Sequence, residues 1–223
     1  MLKYIMRTME YRPQTPPAVQ NLLIANCVVF LAMTLLNENR IYELFALFPV
    51  PSRWFEIWQP VTYMFMHGDF SHLFFNMFAL WMFGRGLEQE LGTKRFLIYY
   101  LVCGIGAGLV QLGMAQIDLM RLSEASFAYQ QYLWTPTVGA SGAIFGLLLA
   151  FGMLHPNATI MLLIPPIPMK AKWFVIIYGL LELFFGVSGR MDSVAHFAHL
   201  GGMFWGWLLL MWWKHQDTKR YRY

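Results

Sequence analysis

Long apolar runs separated by short polar stretches dominate the hydropathy pattern of this 223-residue chain. A helix needs about 20 mostly apolar residues to cross a membrane, and six runs approach that length. Numbered 1 to 6 in chain order, the predicted helices cover residues 18–36, 70–87, 96–114, 138–154, 171–187 and 193–213. The pattern therefore predicts an all-α polytopic membrane protein with a six-transmembrane-helix bundle.

The connection between predicted helices 1 and 2, residues 37–69, is too apolar for a plain loop. Its large apolar residues recur at helical spacing among charged ones, in two groups: Ile41, Phe45 and Phe48, then Trp54, Phe55 and Trp58. This spacing predicts two short helices in the membrane interface, with tryptophan anchors. The later connections, residues 115–137 and 165–170, are predicted to be a polar loop and a basic, proline-rich link.

Composition and charge support a membrane location. The chain is 58% hydrophobic and only 13% charged, unlike an average soluble domain. Twelve of its sixteen lysines and arginines fall on the side of the predicted bundle that holds both termini. The positive-inside rule then places both termini in the cytoplasm of a cell-membrane protein. The predicted organisation is an N-terminal segment (1–17), a membrane domain (18–213) and a basic tail (214–223). The net charge of +4 reflects membrane flanks and does not indicate nucleic-acid binding.

Four polar residues lie near the outer ends of predicted helices 2, 4 and 6. They are His72, Asn76, Ser141 and His199. At ~1.5 Å per residue, they share a depth of roughly 5–10 Å. Polar and ionisable groups inside a bilayer are costly and usually face a functional cavity, so this level is the predicted site.

A serine and a histidine at one depth indicate nucleophilic chemistry. The hydroxyl of Ser141 needs a base to remove its proton, and the imidazole of His199 suits that role near neutral pH. No aspartate or glutamate is evident at the same level in a helix, which favours a Ser141–His199 dyad over a triad. Gly202 and Gly206 share a helix face with His199 and are predicted to pack against Gly142 and Gly146 of predicted helix 4.

Acyl transfer also requires hydrogen-bond donors for the developing oxyanion. Ser141 lies in the first turn of its predicted helix, where backbone N–H groups lack partners within the helix. His72 and Asn76 are one turn apart on one face, so both side chains can reach the same point. These three residues form the predicted oxyanion site, and Gly139 allows close approach of backbone or substrate.

The remaining polar residues have less specific interpretations. His67 precedes predicted helix 2, and a structural hydrogen bond in the loop is the favoured interpretation. His196, His199 and His72 are a possible metal set, but no cysteine or carboxylate completes it, so neither a metal nor a cofactor is expected. Glu182 lies within predicted helix 5, where either a buried partner, which the sequence does not identify, or a water-filled cleft is expected.

These motifs resemble those of the rhomboid family of intramembrane serine proteases. The resemblance runs from about Trp58 to Trp207 and rests on HGDFSHLFFN (67–76), GASG (139–142) and AHLGGMFWG (198–206), in the family's order. It implies Ser141 as the nucleophile, His199 as the base, and His72, Asn76 and the Ser141 amide as oxyanion donors. It also implies that Phe145 packs on the His199 ring.

The resemblance further implies transmembrane protein substrates, cut near the outer end of a helix that unwinds easily. It implies a membrane-embedded loop at residues 37–69, with predicted helix 5 as a lateral gate and a minimal bacterial-type architecture. The loop reads Trp58-Gln59 where some members have Trp-Arg. Two alternatives remain: a catalytically silent rhomboid-like binder of membrane proteins, and a transporter, for which no paired broken helices are evident. The substrate and the oligomeric state are open.

Overall fold

A computed structural model of the chain describes residues 15–36, 38–161, 166–188 and 196–220. Within these ranges the fold is mostly helical. The helices are α1 (Pro17–Leu35), α2 (Glu38–Phe45), α3 (Gln59–Thr62), α4 (Phe70–Leu91), α5 (Thr93–Met120), α6 (Phe127–Leu133), α7 (Ser141–Leu154), α8 (Ala171–Ser188) and α9 (His196–Arg220). A 3₁₀ turn, Tyr63–Phe65, follows α3, and two strands, β1 (Thr159–Met161) and β2 (Pro168–Lys170), pair antiparallel.

Helices α1, α4, α5, α7, α8 and α9 lie on the six predicted apolar segments. Three of them, α1, α5 and α8, are long and apolar enough to cross a membrane. Helix α7 is apolar but has only 14 residues. The chain is thus a mostly helical membrane protein. The crossing of the membrane by all six helices stays a prediction.

Several predicted boundaries are wrong by a few residues. Helix α4 continues to Leu91 and ends at Gly92, whose φ of 78° favours glycine, and α5 then begins at Thr93. Helix α9 continues through the basic residues to Arg220. Charged side chains interrupt the apolar pattern without breaking a helix, which explains both extensions. The predicted start of helix 6 at Ser193, the N-terminal residues 1–14 and residues 162–165 lie outside the described ranges.

The predicted loops contain more regular structure than expected. In residues 115–137, α5 extends to Met120 and the short helix α6 follows. The strands β1 and β2 occupy the link between α7 and α8, so a two-stranded hairpin is added to the predicted all-α fold. In the connection 37–69 the first predicted short helix is present as α2. The second predicted helix is wrong, because residues 50–58 form turns. A helix that ran from Trp54 into α3 would place Pro60 in its interior, where proline opposes helix formation.

Gln59 holds the connection between α1 and α4 together. Its side chain is fully buried; its oxygen accepts from the amide of Phe48 (3.2 Å), and its nitrogen donates to the carbonyls of Trp54 (2.7 Å) and Glu43 (3.2 Å). The indole of Trp58 donates to the carbonyl of Leu44 at 2.8 Å. The Trp-Gln pair therefore supplies the polar anchoring of this connection.

Helix α7 lies at the centre of the described structure. It packs against α4, α5, α8 and α9, and most of its side chains are buried. Helix α9 also packs against α5, so α5, α7 and α9 form the core of the bundle. The arrangement brings the N-terminal end of α7 next to the start of α9. Both cysteines, Cys27 and Cys103, are free thiols.

Candidate active site

Ser141 is the first residue of α7, and the chain before it is tied to the connection that precedes α4. Leu47 and Thr137 form an antiparallel bridge through two backbone hydrogen bonds of 3.0 and 2.8 Å. Gly139 donates its amide to the carbonyl of Tyr63 at 2.9 Å, and its φ of 127° is one that side-chain-bearing residues rarely adopt. Together these contacts fix the approach of the backbone to Ser141.

The side chains of Ser141 and His199 are in direct contact. Oγ of Ser141 lies 2.8 Å from Nε2 of His199, within hydrogen-bonding distance. The His199 side chain is buried, and the ring of Phe145 stacks on it, with centroids 4.2 Å apart and planes 7° from parallel. The two residues that the sequence singled out are therefore adjacent, and an aromatic ring restrains the imidazole.

Small residues allow α7 and α9 to approach this closely. A Cβ on Gly202 would overlap the carbonyl oxygen of Gly142, and a Cβ on Gly146 would lie 3.2 Å from the carbonyl of Gly202. Gly206, by contrast, faces Tyr99 and Cys103 of α5. The predicted α7–α9 contact thus involves Gly142, Gly146 and Gly202, and the part that Gly206 was expected to take in it stays a prediction.

A carboxylate stands on the other side of His199. Oε2 of Glu182 lies 2.9 Å from Nδ1 of His199 and 2.7 Å from Nδ1 of His196. The expectation that no acidic residue shares the level of the site is therefore wrong. Glu182 is six residues from the end of α8 at Ser188, roughly 9 Å along the helix. In the predicted topology this end of α8 is the outer one, so Glu182 has a depth similar to that of the other predicted site residues.

His72 and Asn76 extend from the first two turns of α4 towards Gly139. A Cβ on Gly139 would lie 2.8 Å from Nε2 of His72 and 3.7 Å from Nδ2 of Asn76. Asn76 is buried, and its Nδ2 has no hydrogen-bond partner among the described residues. Two N–H-bearing groups thus converge beside the backbone that leads into Ser141, where an oxyanion would need donors.

Asp69 is the N-cap of α4 and thereby orients His72. Its carboxylate accepts from the amide of His72 at 2.8 Å and from the hydroxyl of Ser71 at 2.5 Å. These hydrogen bonds hold the pKa of Asp69 below its usual value, and the bond from Ser71 has the larger effect. An aspartate N-cap of this kind defines where the helix starts and so where His72 points.

His67 packs behind His72 and does not form the predicted loop hydrogen bond. Its side chain is fully buried, and neither ring nitrogen has a hydrogen-bond partner in the part of the chain that the structure describes. The rings of His67 and His72 meet edge to face, with centroids 5.0 Å apart. Burial, with a smaller effect of His72, lowers the pKa of His67 to about 4, so His67 is neutral at pH 7.

The metal set considered from the sequence needs correction. Glu182, His196 and His199 place one carboxylate oxygen and two ring nitrogens within 4.8 Å of one another. A carboxylate therefore does accompany the histidines, contrary to expectation, and His72 is not part of the cluster. Oε2 of Glu182 is already hydrogen-bonded to Nδ1 of both histidines, at 2.7 and 2.9 Å. The prediction that the reaction needs no metal stays a prediction.

Comparison with known families agrees with the three motifs. The family model for the rhomboid domain matches residues 55–215, which include every predicted site residue. The chain belongs to the rhomboid family.

Curated rhomboid relatives come from yeast, a plant and bacteria. Rhomboid protein 1, mitochondrial, of Saccharomyces cerevisiae is 35% identical over 149 residues, 65% of this chain and 40% of that protein. RHOMBOID-like protein 5 of Arabidopsis thaliana is 35% identical over 158 residues, 70% of this chain and 45% of that protein. Rhomboid protease GlpG of Salmonella choleraesuis is 28% identical over 123 residues, 55% of this chain and 45% of that protein. The chain thus matches less than half the length of each relative.

Proposed function

We propose that this rhomboid-family chain is an intramembrane serine endopeptidase that cuts transmembrane proteins near the outer end of their helices. Ser141 is the nucleophile and His199 the general base. The observation that carries the proposal is the 2.8 Å contact between Oγ of Ser141 and Nε2 of His199 at the start of α7. The resemblance to a rhomboid protease of Salmonella choleraesuis supports the same reaction class.

The proposed reaction proceeds by acyl transfer. Nε2 of His199 takes the Ser141 proton as Oγ attacks the scissile carbonyl carbon. The oxyanion accepts hydrogen bonds from His72, Asn76 and the Ser141 amide. His199 then gives its proton to the leaving amine, and the peptide C–N bond breaks. Water, activated by His199, hydrolyses the acyl-enzyme and releases Ser141.

The proposed membrane arrangement follows the sequence analysis. All six apolar helices cross the cell membrane, both termini are cytoplasmic, and residues 18–213 form the membrane domain. The site then lies a few residues below the outer surface, where water can enter. The connection 37–69 is embedded in the membrane, and α8 is the lateral gate for the substrate. Most α8 side chains are exposed in the described structure, which fits a helix that contacts few neighbours.

Cleavage of a defined substrate tests the proposal. We expect the full-length protein in liposomes to cut a single-span peptide that carries a glycine–proline pair near its outer end, because an intact helix shields its carbonyl carbons. A matched peptide with two leucines at those positions should be cut at least 10-fold more slowly, since it must break helical hydrogen bonds first. Mass spectrometry maps the new termini. Failure to cut either peptide would favour a catalytically silent binder.

Asn76→Ala tests the oxyanion assignment. We expect kcat to fall about 10²–10³-fold with KM nearly unchanged, because the amide stabilises charge that develops only in the transition state. Asn26→Ala is the matched control: Asn26 is also buried, but its amide donates to the carbonyl of Leu22 within α1. A rise in KM alone for Asn76→Ala, or an equal loss of kcat in both variants, would contradict the assignment.

A further inference from the structure

The proposed Ser141–His199 chemistry leaves one largely buried charged group of the site without a role. The side chain of Glu182 is only 12% exposed and lies in the apolar helix α8. A carboxylate in such a place is costly unless hydrogen bonds compensate it. Its Oε2 has two partners, Nδ1 of His196 at 2.7 Å and Nδ1 of His199 at 2.9 Å. Both partners belong to α9, so Glu182 connects the proposed gate helix to the helix of the proposed base.

These contacts define which nitrogen of His199 carries the hydrogen. An ionised carboxylate only accepts hydrogen bonds, so Nδ1 of each histidine must donate. A neutral His199 with a hydrogen on Nδ1 has a bare Nε2, and this nitrogen faces Oγ of Ser141 at 2.8 Å. This is the tautomer that a general base needs, since the other one would direct an N–H group at the serine.

We propose that Glu182 is a positioning residue that completes a Ser141–His199–Glu182 triad; this inference rests on the proposed protease function. Glu182 holds His199 in the Nδ1–H tautomer. It also stabilises the imidazolium that forms when Nε2 takes the serine proton, without taking a proton itself. The nucleophile, the base and the carboxylate come from α7, α9 and α8 respectively.

His196 gives the carboxylate a second, fixed partner. It lies three residues before His199, on the same face of α9, and is buried, with its ring 5.7 Å from that of Phe185. Two donors on one oxygen restrict the rotation of the Glu182 side chain. Phe145 restrains the other side of the unit by stacking on His199. His199 is thus held by a hydrogen bond in the ring plane and by an aromatic ring above it.

Glu88 shows what a purely structural carboxylate looks like in this protein. It is buried on α4 and accepts from the amides of Ala18 (3.0 Å) and Val19 (2.8 Å) and from the hydroxyl of Thr93 (2.8 Å). These bonds tie the start of α1 to α4 and reach no residue of the proposed site. Glu88→Gln is therefore a matched control for the removal of one buried negative charge.

The kinetic test compares Glu182→Gln, Glu182→Asp and Glu88→Gln in full-length protein in liposomes, with the glycine–proline peptide as substrate. We expect Glu182→Gln to lower kcat by about 10²–10⁴-fold with KM within about twofold, because the charge is lost while the shape is kept. The kcat of Glu182→Asp should be at least tenfold higher than that of Glu182→Gln. Glu88→Gln should lower the melting temperature and leave kcat nearly unchanged. Unchanged kcat in Glu182→Gln, or an equal fall in Glu88→Gln, would overturn the proposal.

A spectroscopic test separates this inference from the protease proposal. Solid-state ¹⁵N NMR of histidine-labelled protein reports the tautomer of each imidazole, and the His199 signals are those missing from His199→Ala. We expect His199 to carry its hydrogen on Nδ1 in the wild type. In Glu182→Gln we expect the Nε2–H tautomer or a mixture of the two tautomers. An unchanged tautomer would overturn the positioning role even if the wild type cleaves. If the wild type does not cleave but Glu182→Gln changes the tautomer of His199, the protease proposal fails and the positioning of His199 by Glu182 stands.

Discussion

Replacing Ser141 with alanine is expected to lower kcat for cleavage of a transmembrane peptide by about 10⁶-fold, the scale seen when a serine protease loses its nucleophile. The reason is direct, because the Oγ that lies 2.8 Å from Nε2 of His199 is the atom proposed to attack the substrate. His199→Ala should lower kcat by nearly as much. The double variant should lower kcat only a little further, since the two residues act as one unit. Product formation in liposomes measures all three.

Folding must survive these changes for the result to be informative. We expect the Ser141→Ala variant to keep the melting temperature of the wild type within a few degrees, because alanine fills nearly the same space. Ser188→Ala is the matched control on α8: its hydroxyl donates to the carbonyl of Phe185, outside the proposed site. The control should cleave like the wild type. Clear residual cleavage by Ser141→Ala would assign the nucleophile to another residue.

Gly202→Ala is expected to damage both stability and cleavage. The added Cβ would overlap the carbonyl oxygen of Gly142, so α7 and α9 must move apart. We expect a loss of about 1–3 kcal/mol in the free energy of unfolding from the overpacked contact. A separation of about 1 Å between Ser141 and His199 should lower kcat about 10²-fold. Thermal melting and peptide cleavage measure the two effects.

Gly113→Ala is the control for the same chemical change. Gly113 lies in α5, and a Cβ there would meet nothing within 4 Å. Alanine favours a helix over glycine by up to about 1 kcal/mol, so this variant should be as stable as the wild type or slightly more stable. Equal melting temperatures and equal activity for Gly202→Ala and the wild type would contradict the close α7–α9 contact.

The sequence was most informative where physical constraints are severe. Apolar runs predicted the positions of six helices, and the cost of polar groups in a bilayer drew attention to His72, Asn76, Ser141 and His199. The small residues Gly142 and Gly202 predicted a close contact that the structure contains. These inferences depend on local composition and on the distance of a residue from the end of its helix, and both can be read directly from the sequence.

Contacts between distant segments were harder to predict. Glu182 is fourteen residues before His196, and hydropathy alone does not show which side of α8 faces α9. The partners of Gln59 are the carbonyl of Glu43 in α2, the amide of Phe48 and the carbonyl of Trp54, which only the turns after α2 bring together. Extensions such as α9 to Arg220 were missed because the apolar pattern ends before the helix does. Each of these features depends on three-dimensional packing more than on local pattern.

The central claim is that His199 activates the hydroxyl of Ser141. The most direct measurement treats the solubilised protein with a fluorophosphonate probe, which reacts with activated serines, and locates the adduct by mass spectrometry. We predict one adduct on Ser141, absent in Ser141→Ala and strongly reduced in His199→Ala, with no change in Ser188→Ala. An adduct on another serine, or no adduct on folded wild-type protein, would contradict the claim.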